Sequence, residues 1–399
     1  MIYENKQIIV IVTGGIAAYK AAYFVRELVK QGAVVRVVMT SSAQQFITPF
    51  TFEVLTQQSV MTDMFHPIKT GSVQHIEWAQ WADLIFVVPA TANLIAKMAQ
   101  GIADDAALTI ILASQAQKVV APAMNDQMWE NPATQRNIQQ LHHDNILVIM
   151  PTTGFLAEGY EGKGRLPEPV DILAQTEIRL LAQNGALKNQ RVLITAGGTR
   201  EALDPVRFLT NRSSGKMGYA LAQAAAEAGA SVQLITTINR NVAYSVKTIM
   251  VESTQEMYDQ VMSHVPDSDI FISAAAVADY RPAQKADQKI KKTDDNNMTI
   301  NLVKNPDILA EVGRHKRQQY VVGFAAETQD LLAYADAKLK TKGADMLVAN
   351  DVSRSDIGFS SDDNQVVVLT ASHEPQYLPV QSKLDTARAI IQLIAKEYN

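Results

Sequence analysis

Residues suited to chemistry cluster where apolar runs give way to small and polar side chains. The stretch QRVLITAGGTREALDPVRFLTNRSSGKMG (190–218) runs from Val192-Leu193-Ile194 into Gly197-Gly198. It then gathers Asn211, Arg212, Ser213 and Ser214 ahead of an Ala-rich helical segment after Gly215. A parallel strand that ends in glycines before a helix delivers backbone N–H groups to an anion. The chain opens the same way, with KQIIVIVTGGIAAYK (6–20) ending its apolar run in Gly14-Gly15. GGIAAYK lacks both the G-x-G-x-x-G spacing and the Walker lysine, so it reads equally as a single-phosphate turn and as a structural one. PATANLIAK (89–97) sets Thr91 and Asn93 at a helix start, where side-chain oxygens ordinarily cap. PAMNDQMW (122–129) sets Asn125 at a strand end, where a capping residue and a donor to a bound carboxylate look alike. His75, in GSVQHIEW, opens a short helix, and a lone histidine there is more often a surface or capping residue than a base.

Further along, AAAVADY (274–280) places Asp279 just past a strand end, where a carboxylate can hold Mg²⁺ or a ribose hydroxyl. Lys289, Lys291 and Lys292 read either as a solvated face or as cations for a triphosphate. Lys338 and Lys342, one helical turn apart, could add to the latter. VKNPDI (303–308) is an Asn-Pro turn opening a helix, again an N–H donor site.

The elements that must position these residues alternate as strand and helix. Residues 8–12, 34–39, 84–90 and 118–124 read as buried parallel strands, with helices at 16–31, after 91 and after 131. Loops after such strands meet at one sheet edge, where open α/β sheets bind ligands. PTTGFLAEGYEGKGRLPEP (151–169) has no apolar period and is too long for a simple turn. It reads as a mobile flap, with a plain surface excursion as the alternative. Helix 170–183 and the polar linker 182–190 close the first domain. In the second half, helices at 215–229, 254–264, 328–341 and 384–397 alternate with strands at 231–236, 269–275, 320–324, 345–349 and 366–370. A charged excursion, 281–304, interrupts them; it could cap a site or pair with a partner subunit.

Composition bounds the function. The 399 residues suffice for two α/β domains, and the net charge of −5 argues against a general nucleic-acid binder. With no cysteine, disulfides, thiolate metal sites and cysteine nucleophiles are excluded. No uninterrupted apolar run reaches membrane-spanning length and the first residues lack signal-peptide character, so the expectation is a cytoplasmic protein with no membrane partner.

In order along nearly the whole chain, PATAN, PAMNDQMW, the flap, AGGTRE, TNRSSGKMG, AAAVADY, KIKK, KNPDI and VGFAAET resemble one family. It is the bifunctional flavoprotein of coenzyme A biosynthesis, phosphopantothenoylcysteine decarboxylase fused to phosphopantothenate–cysteine ligase. The resemblance implies an α/β chain of two three-layer domains. Residues 1–189 would form a flavodoxin-like FMN domain, and 190–399 a Rossmann-like ligase domain using CTP and Mg²⁺. It also implies a homo-oligomer, with trimeric contacts between flavin domains, dimeric contacts between ligase domains and stacking into dodecamers.

For the first domain the resemblance implies FMN contacts at Gly15, Ser41, Thr91 and Asn93. His75 would be a base in the oxidation of the substrate's cysteine Cβ, and Asn125 the holder of its carboxylate. The family's flap usually carries an Ala-Cys-Gly triplet, whereas this chain has Ala157-Glu158-Gly159. Glu158 is the expected substitute proton donor if flap closure buries its carboxyl. The alternative is a ligase with a flavin-binding but decarboxylase-silent regulatory domain. For the second domain the resemblance implies that the carboxylate of 4′-phosphopantothenate attacks CTP and that the amine of L-cysteine displaces CMP from the acyl-cytidylate. The matching nucleotide positions are Ala274, Ala275, Ala276, Asp279, Lys289, Asn305, Pro306, Asp307, Ile308, Phe324, Lys338 and Lys342. Asp279 is the metal candidate, and by the resemblance Asn211 would steady the acyl-nucleotide and Lys289 would touch the phosphates. A nicotinamide-dependent oxidoreductase is disfavoured because neither glycine loop has the dinucleotide spacing.

Overall fold

The computed structural model describes residues 2–65, 73–291, 298–327, 331–351 and 361–398; Lys292 lies outside them. The chain divides into two compact units, Met1–Glu177 and Ile178–Asn399. The division falls within the helix Pro169–Gln183, because Ile178 and Leu187 pack into the core of the second unit.

In the first unit, β1 (Gln7–Val12), β2 (Val34–Met39), β3 (Leu84–Ala90), β4 (Gln117–Pro122) and β5 (Leu147–Val148) form a parallel sheet. Its order, β2-β1-β3-β4-β5, is flavodoxin-like. Ile8 through Val12 are wholly buried, as continuous apolar strands must be when helices cover both faces. The supporting helices include Ala18–Lys30, Ala92–Gln100 and Pro132–His143, so the loops after β1, β2, β3 and β4 converge at the carboxyl edge.

Residues 151–169 are more ordered than an aperiodic sequence suggests. β6 (Thr152–Phe155) and β7 (Glu161–Arg165) form an antiparallel hairpin, with Gly154 opposite Gly162. The inward positions of β7 are Gly162 and Gly164, so the buried face carries no side chain to register as an apolar period. A Cβ on Gly164 would lie 2.0 Å from the carbonyl oxygen of Met124, and Met124 N donates to Gly164 O at 3.1 Å. The hairpin therefore seats its backbone directly on the loop after β4.

In the second unit, β8 (Arg191–Ala196), β11 (Ser231–Thr236), β12 (Lys247–Met250), β13 (Ile270–Ser273), β16 (Tyr320–Glu327) and β17 (Met346–Asp351) pair in parallel. β18 (Asp363–Thr370) and β19 (Gln376–Ser382) extend the sheet antiparallel. The order is β12-β11-β8-β13-β16-β17-β18-β19. Helices Lys216–Glu227 and Lys383–Tyr398 pack together against one face. Thr254–His264, Ile308–His315 and Leu331–Lys342 cover the other. Two short ladders decorate the carboxyl edge. β9 (Arg200–Ala202) pairs with β10 (Phe208–Thr210), and β14 (Tyr280–Pro282) pairs with β15 (Leu302–Lys304) at the base of the charged excursion.

Candidate ligand sites at the two sheet edges

At the first unit's edge, Thr13 ties two loops together: its Oγ1 donates to Pro89 O at 2.7 Å and accepts from Thr91 N at 3.1 Å. Thr91 Oγ1 caps the next helix by accepting from Leu94 N at 3.4 Å. The loops after β1 and β2 touch as closely, since a Cβ on Gly14 would lie 2.4 Å from that of Ser42. In front of Gly15 the nearest atom a Cβ would meet is Thr91 Cγ2, at 3.9 Å. Gly15 and Thr91 are half-buried, and Ser41 and Asn93 are exposed. The result is a ledge of small side chains with open space before Gly15, which fits a group approaching the backbone at an α/β edge. His75 is half-buried in the first turn of the helix Gln74–Trp81.

Asn125 performs both tasks that its sequence position allows. Its Oδ1 accepts from Gln127 N at 2.9 Å and caps the helix Asp126–Glu130. Its Nδ2 faces outward, donating to Glu158 Oε1 at 3.1 Å and to Tyr160 Oη at 2.9 Å. Tyr160 in turn donates to Asp126 Oδ1 at 2.7 Å. That bond holds the Asp126 carboxyl below the usual carboxylate range and pushes the Tyr160 phenol up. Glu158 is exposed, so the burial expected of a closed flap is absent in this arrangement. Sequence reading passed over Tyr160 and Asp126. Tyr160 stands only two residues beyond Glu158, but the fold alone brings that turn to Asn125 and Asp126.

At the second unit's edge lies a cavity of about 1060 Å³. Its walls include Asn211, Ala274, Ala275, Ala276, Asp279, Asn305, Pro306, Asp307, Ile308, Phe324, Lys338 and Lys342, which brings every expected nucleotide position but one to a single space. The exception is Lys289, exposed on the excursion and absent from the cavity lining. Its neighbour Ile290 is fastened to the turn after β9: Ile290 N donates to the buried Asp204 at 3.1 Å and Ile290 O accepts from Arg207 at 3.4 Å.

Within the cavity wall, Asn211 Nδ2 donates to Val277 O at 3.0 Å and joins the two principal loops. Asp307 caps its helix through Ala310 N at 3.0 Å and forms an ion pair with Lys342. Burial opposes charge on Asp307, but Lys342 and the helix N–H overcome it and hold the carboxyl below its ordinary range. Asp279 is exposed, and among the described residues no group of three metal-ligating side chains occurs.

Behind the wall, a chain of polar groups escaped sequence reading. The buried Glu201 accepts from Thr254 N at 2.9 Å and from Thr254 Oγ1 at 2.7 Å. Since Thr254's only hydroxyl hydrogen goes to Glu201, the 2.9 Å contact between Thr199 and Thr254 takes its proton from Thr199. Thr199 accepts from Ala278 N at 2.9 Å, and Asn305 Nδ2 donates to Thr254 Oγ1 at 3.2 Å and to Ala278 O at 2.8 Å. One buried carboxylate thus fixes both Ala278 and Asn305.

Comparison with known proteins matches two family models: Flavoprotein, over residues 2–181, and DNA/pantothenate metabolism flavoprotein C-terminal domain, over residues 187–398. The chain is 48% identical over 393 residues to the coenzyme A biosynthesis bifunctional protein CoaBC of Vibrio vulnificus, covering 98% of this chain and 97% of that one. The Bacillus subtilis protein of the same name is 46% identical over 396 residues, covering 98% and 97%. That of Escherichia coli is 42% identical over 403 residues, covering 100% and 99%.

Proposed function

Because the chain belongs to the family of coenzyme A biosynthesis bifunctional proteins, we propose that its two sheet-edge sites carry out consecutive steps of that synthesis. The second domain joins cysteine to 4′-phosphopantothenate, and the first decarboxylates the resulting 4′-phosphopantothenoylcysteine to 4′-phosphopantetheine. The observation that carries this reading is the full-length alignment with bifunctional relatives, each domain having its own site at a sheet edge. The same alignment favours the complete enzyme over a ligase with a silent flavin domain.

In the ligase domain, the substrate's carboxylate attacks the α-phosphate of CTP and releases pyrophosphate. The cysteine amine then forms the amide and expels CMP. Catalysis of this kind is largely positioning and charge neutralisation. Lys338, Lys342 and the N–H groups of residues 274–276 and 305–308 are assigned to the nucleotide, Asn211 to the acyl-nucleotide and Lys289 to the phosphates from its arm. Asp279 would meet Mg²⁺ as a single carboxylate, which suits an ion that keeps water and phosphate oxygens as its other ligands.

In the flavin domain, Gly15, Ser41, Thr91 and Asn93 would hold FMN on the ledge, and the open space before Gly15 fits that role. When bound, FMN supplies reversible hydride acceptance. The chain's own residues do the rest: Asn125 Nδ2 binds the substrate carboxylate, His75 takes a proton from the substrate, and Glu158 returns one after CO₂ departs.

Exposed Ile16, Tyr19, Tyr23, Phe46 and Phe50, on and beside the packed helices Ala18–Lys30 and Pro49–Thr56, support a homo-oligomer joined through the flavin domain, for which the family resemblance implies trimeric contacts. Dimeric ligase contacts, dodecameric stacking and a cytoplasmic location complete the reading. No helix among the described residues is long and apolar enough to cross a membrane.

The test is mass spectrometry of the product formed when FMN-loaded protein receives 4′-phosphopantothenoylcysteine without oxygen. Saturated 4′-phosphopantetheine is expected. The enethiol, two hydrogens lighter, would leave the second half-reaction without a proton donor.

A further inference from the structure

The amide of Asn125 has one accepting end and one donating end, and only the donating end can hold a carboxylate. Which end faces outward is decided by the neighbours. On the inner side, Gln127 N donates to Oδ1 at 2.9 Å and keeps the oxygen there. On the outer side stands Tyr160, whose single hydroxyl hydrogen goes to Asp126 Oδ1 at 2.7 Å. With that hydrogen committed, the phenol oxygen can only accept from residue 125, and it takes one of the two Nδ2 hydrogens at 2.9 Å. An amide turned end for end would set its oxygen against the phenol's lone pairs and its nitrogen against the N–H of Gln127.

Asp126 is the group that commits the phenol. Ionised at neutral pH, it is an acceptor only. Its Oδ1 also accepts from Gln127 N at 2.8 Å, and its side chain lies against Gly162 of β7, where a Cβ would come within 3.1 Å of Asp126 Cβ and Oδ2. Tyr160 is fixed independently of Glu158. The tip of the hairpin is a closed turn in which Leu156 N donates to Tyr160 O at 2.8 Å and Gly159 N donates to Leu156 O at 3.1 Å. Gly159 has φ +90°, a conformation glycine adopts without strain. Glu158 occupies the exposed apex of this turn, and Tyr160 stands at its foot beside Asp126. When an incoming carboxylate replaces Glu158 on one Nδ2 hydrogen, the other hydrogen stays on the phenol and the amide keeps its orientation.

We propose that Tyr160, directed by Asp126, is the positioning residue that sets the polarity of the Asn125 amide, so that a donor rather than an acceptor meets the carboxylate of the decarboxylase substrate. The inference rests on the reading of Asn125 as the holder of that carboxylate. It also makes the pair selective, because Tyr160 and Asp126 act on a ligand only through the group that Asn125 holds. 4′-Phosphopantothenoylcysteine carries that carboxylate and 4′-phosphopantetheine has lost it. The pair therefore tightens the complex with substrate and leaves the complex with product as it is, which separates the two ligands at the one group the reaction removes.

The experiment follows decarboxylation by the FMN-loaded full chain without oxygen, varying 4′-phosphopantothenoylcysteine and adding 4′-phosphopantetheine as a competing ligand. The parent is compared with Tyr160→Phe, Asp126→Asn and the double variant, with flavin content as the check on folding. Tyr160→Phe keeps the ring and loses the hydroxyl. Its KM for 4′-phosphopantothenoylcysteine should rise about tenfold, while inhibition by 4′-phosphopantetheine stays at the parent value. Asp126→Asn introduces a donor that lets the phenol hydrogen turn toward residue 125, so its KM should rise as well. The double variant should be no worse than Tyr160→Phe, because Asp126 acts through the phenol. An unchanged KM in Tyr160→Phe overturns the proposal. Parallel weakening of substrate and product also overturns it, since that would place the phenol against the body of the ligand, as does a double variant whose loss is the product of the two single losses. A KM that stays at the parent value in Asn125→Ala overturns the carboxylate reading of Asn125 itself.

Discussion

Glu158 and Asn125 are joined by a hydrogen bond in which the amide nitrogen assigned to the substrate's carboxylate already holds a carboxylate of the chain, at 3.1 Å. A substrate that takes this amide displaces Glu158 and leaves two carboxylates side by side. Like charges at that distance favour protonation of one of them. Glu158→Gln keeps a group that can accept from Asn125 but has no acidic proton to give. Its expected effect is a loss of about 10²-fold or more in the formation of saturated product, the usual contribution of a general acid. Persistent bleaching of the flavin and a product two hydrogens lighter are the readouts. Saturated product at the parent rate would remove Glu158 from the proton path.

Lys289 stands on an arm fixed through Ile290 to Asp204 rather than in the cavity wall. If the arm delivers Lys289 to the phosphates, Lys289→Gln should lower ligation about 100-fold, in line with the loss of a fixed charge at a transferring phosphoryl group. Flavin content and decarboxylation of added 4′-phosphopantothenoylcysteine should not change. Equal loss of both activities would report a folding defect instead.

The ion pair between Asp307 and Lys342 makes an acid-side contribution to stability. The Asp307 carboxyl is held below its ordinary range in the folded chain, so its stabilisation is full above the unfolded-state pKa and is lost as pH falls through the folded one. Lys342→Met removes the principal partner. Melting temperatures measured from pH 6 down to pH 3 should therefore fall less steeply for the variant than for the parent. An identical pH dependence would mean that the helix N–H alone sets the carboxyl.

Thr254→Val is nearly isosteric and removes one hydroxyl from the buried chain linking Glu201 to Asn305. It leaves the Glu201 carboxylate with a single donor from residue 254 and leaves Thr199 without its acceptor. An uncompensated buried polar group costs about 1–3 kcal/mol. Urea denaturation should show that loss, and the KM for CTP should rise severalfold as Ala278 and Asn305 lose their fixed positions. Loss of stability with unchanged KM would confine the network to a structural role.

The central strands were legible because wholly buried parallel strands must be continuously apolar, as Ile8–Val12 and Leu84–Ala90 are. Other elements were hidden for identifiable reasons. β19 contains Pro379 and alternates irregularly because it is the edge strand, where a missing donor is tolerated and one side needs no partner. The flap hairpin was hidden because its inward positions are glycines. Asn125 could not be resolved between cap and donor from sequence, since the answer depends on its oxygen and nitrogen pointing to different partners.

At Gly164, the flap's second strand rests on the Met124 carbonyl with no room for even a methyl group. The strand beneath the tip, Leu156 to Tyr160, is thereby moored to the loop that carries Asn125. The cover and the group beneath it therefore share one frame of reference, like a fingertip resting on a surface to which its own palm is fastened, with Glu158 set on the Asn125 amide.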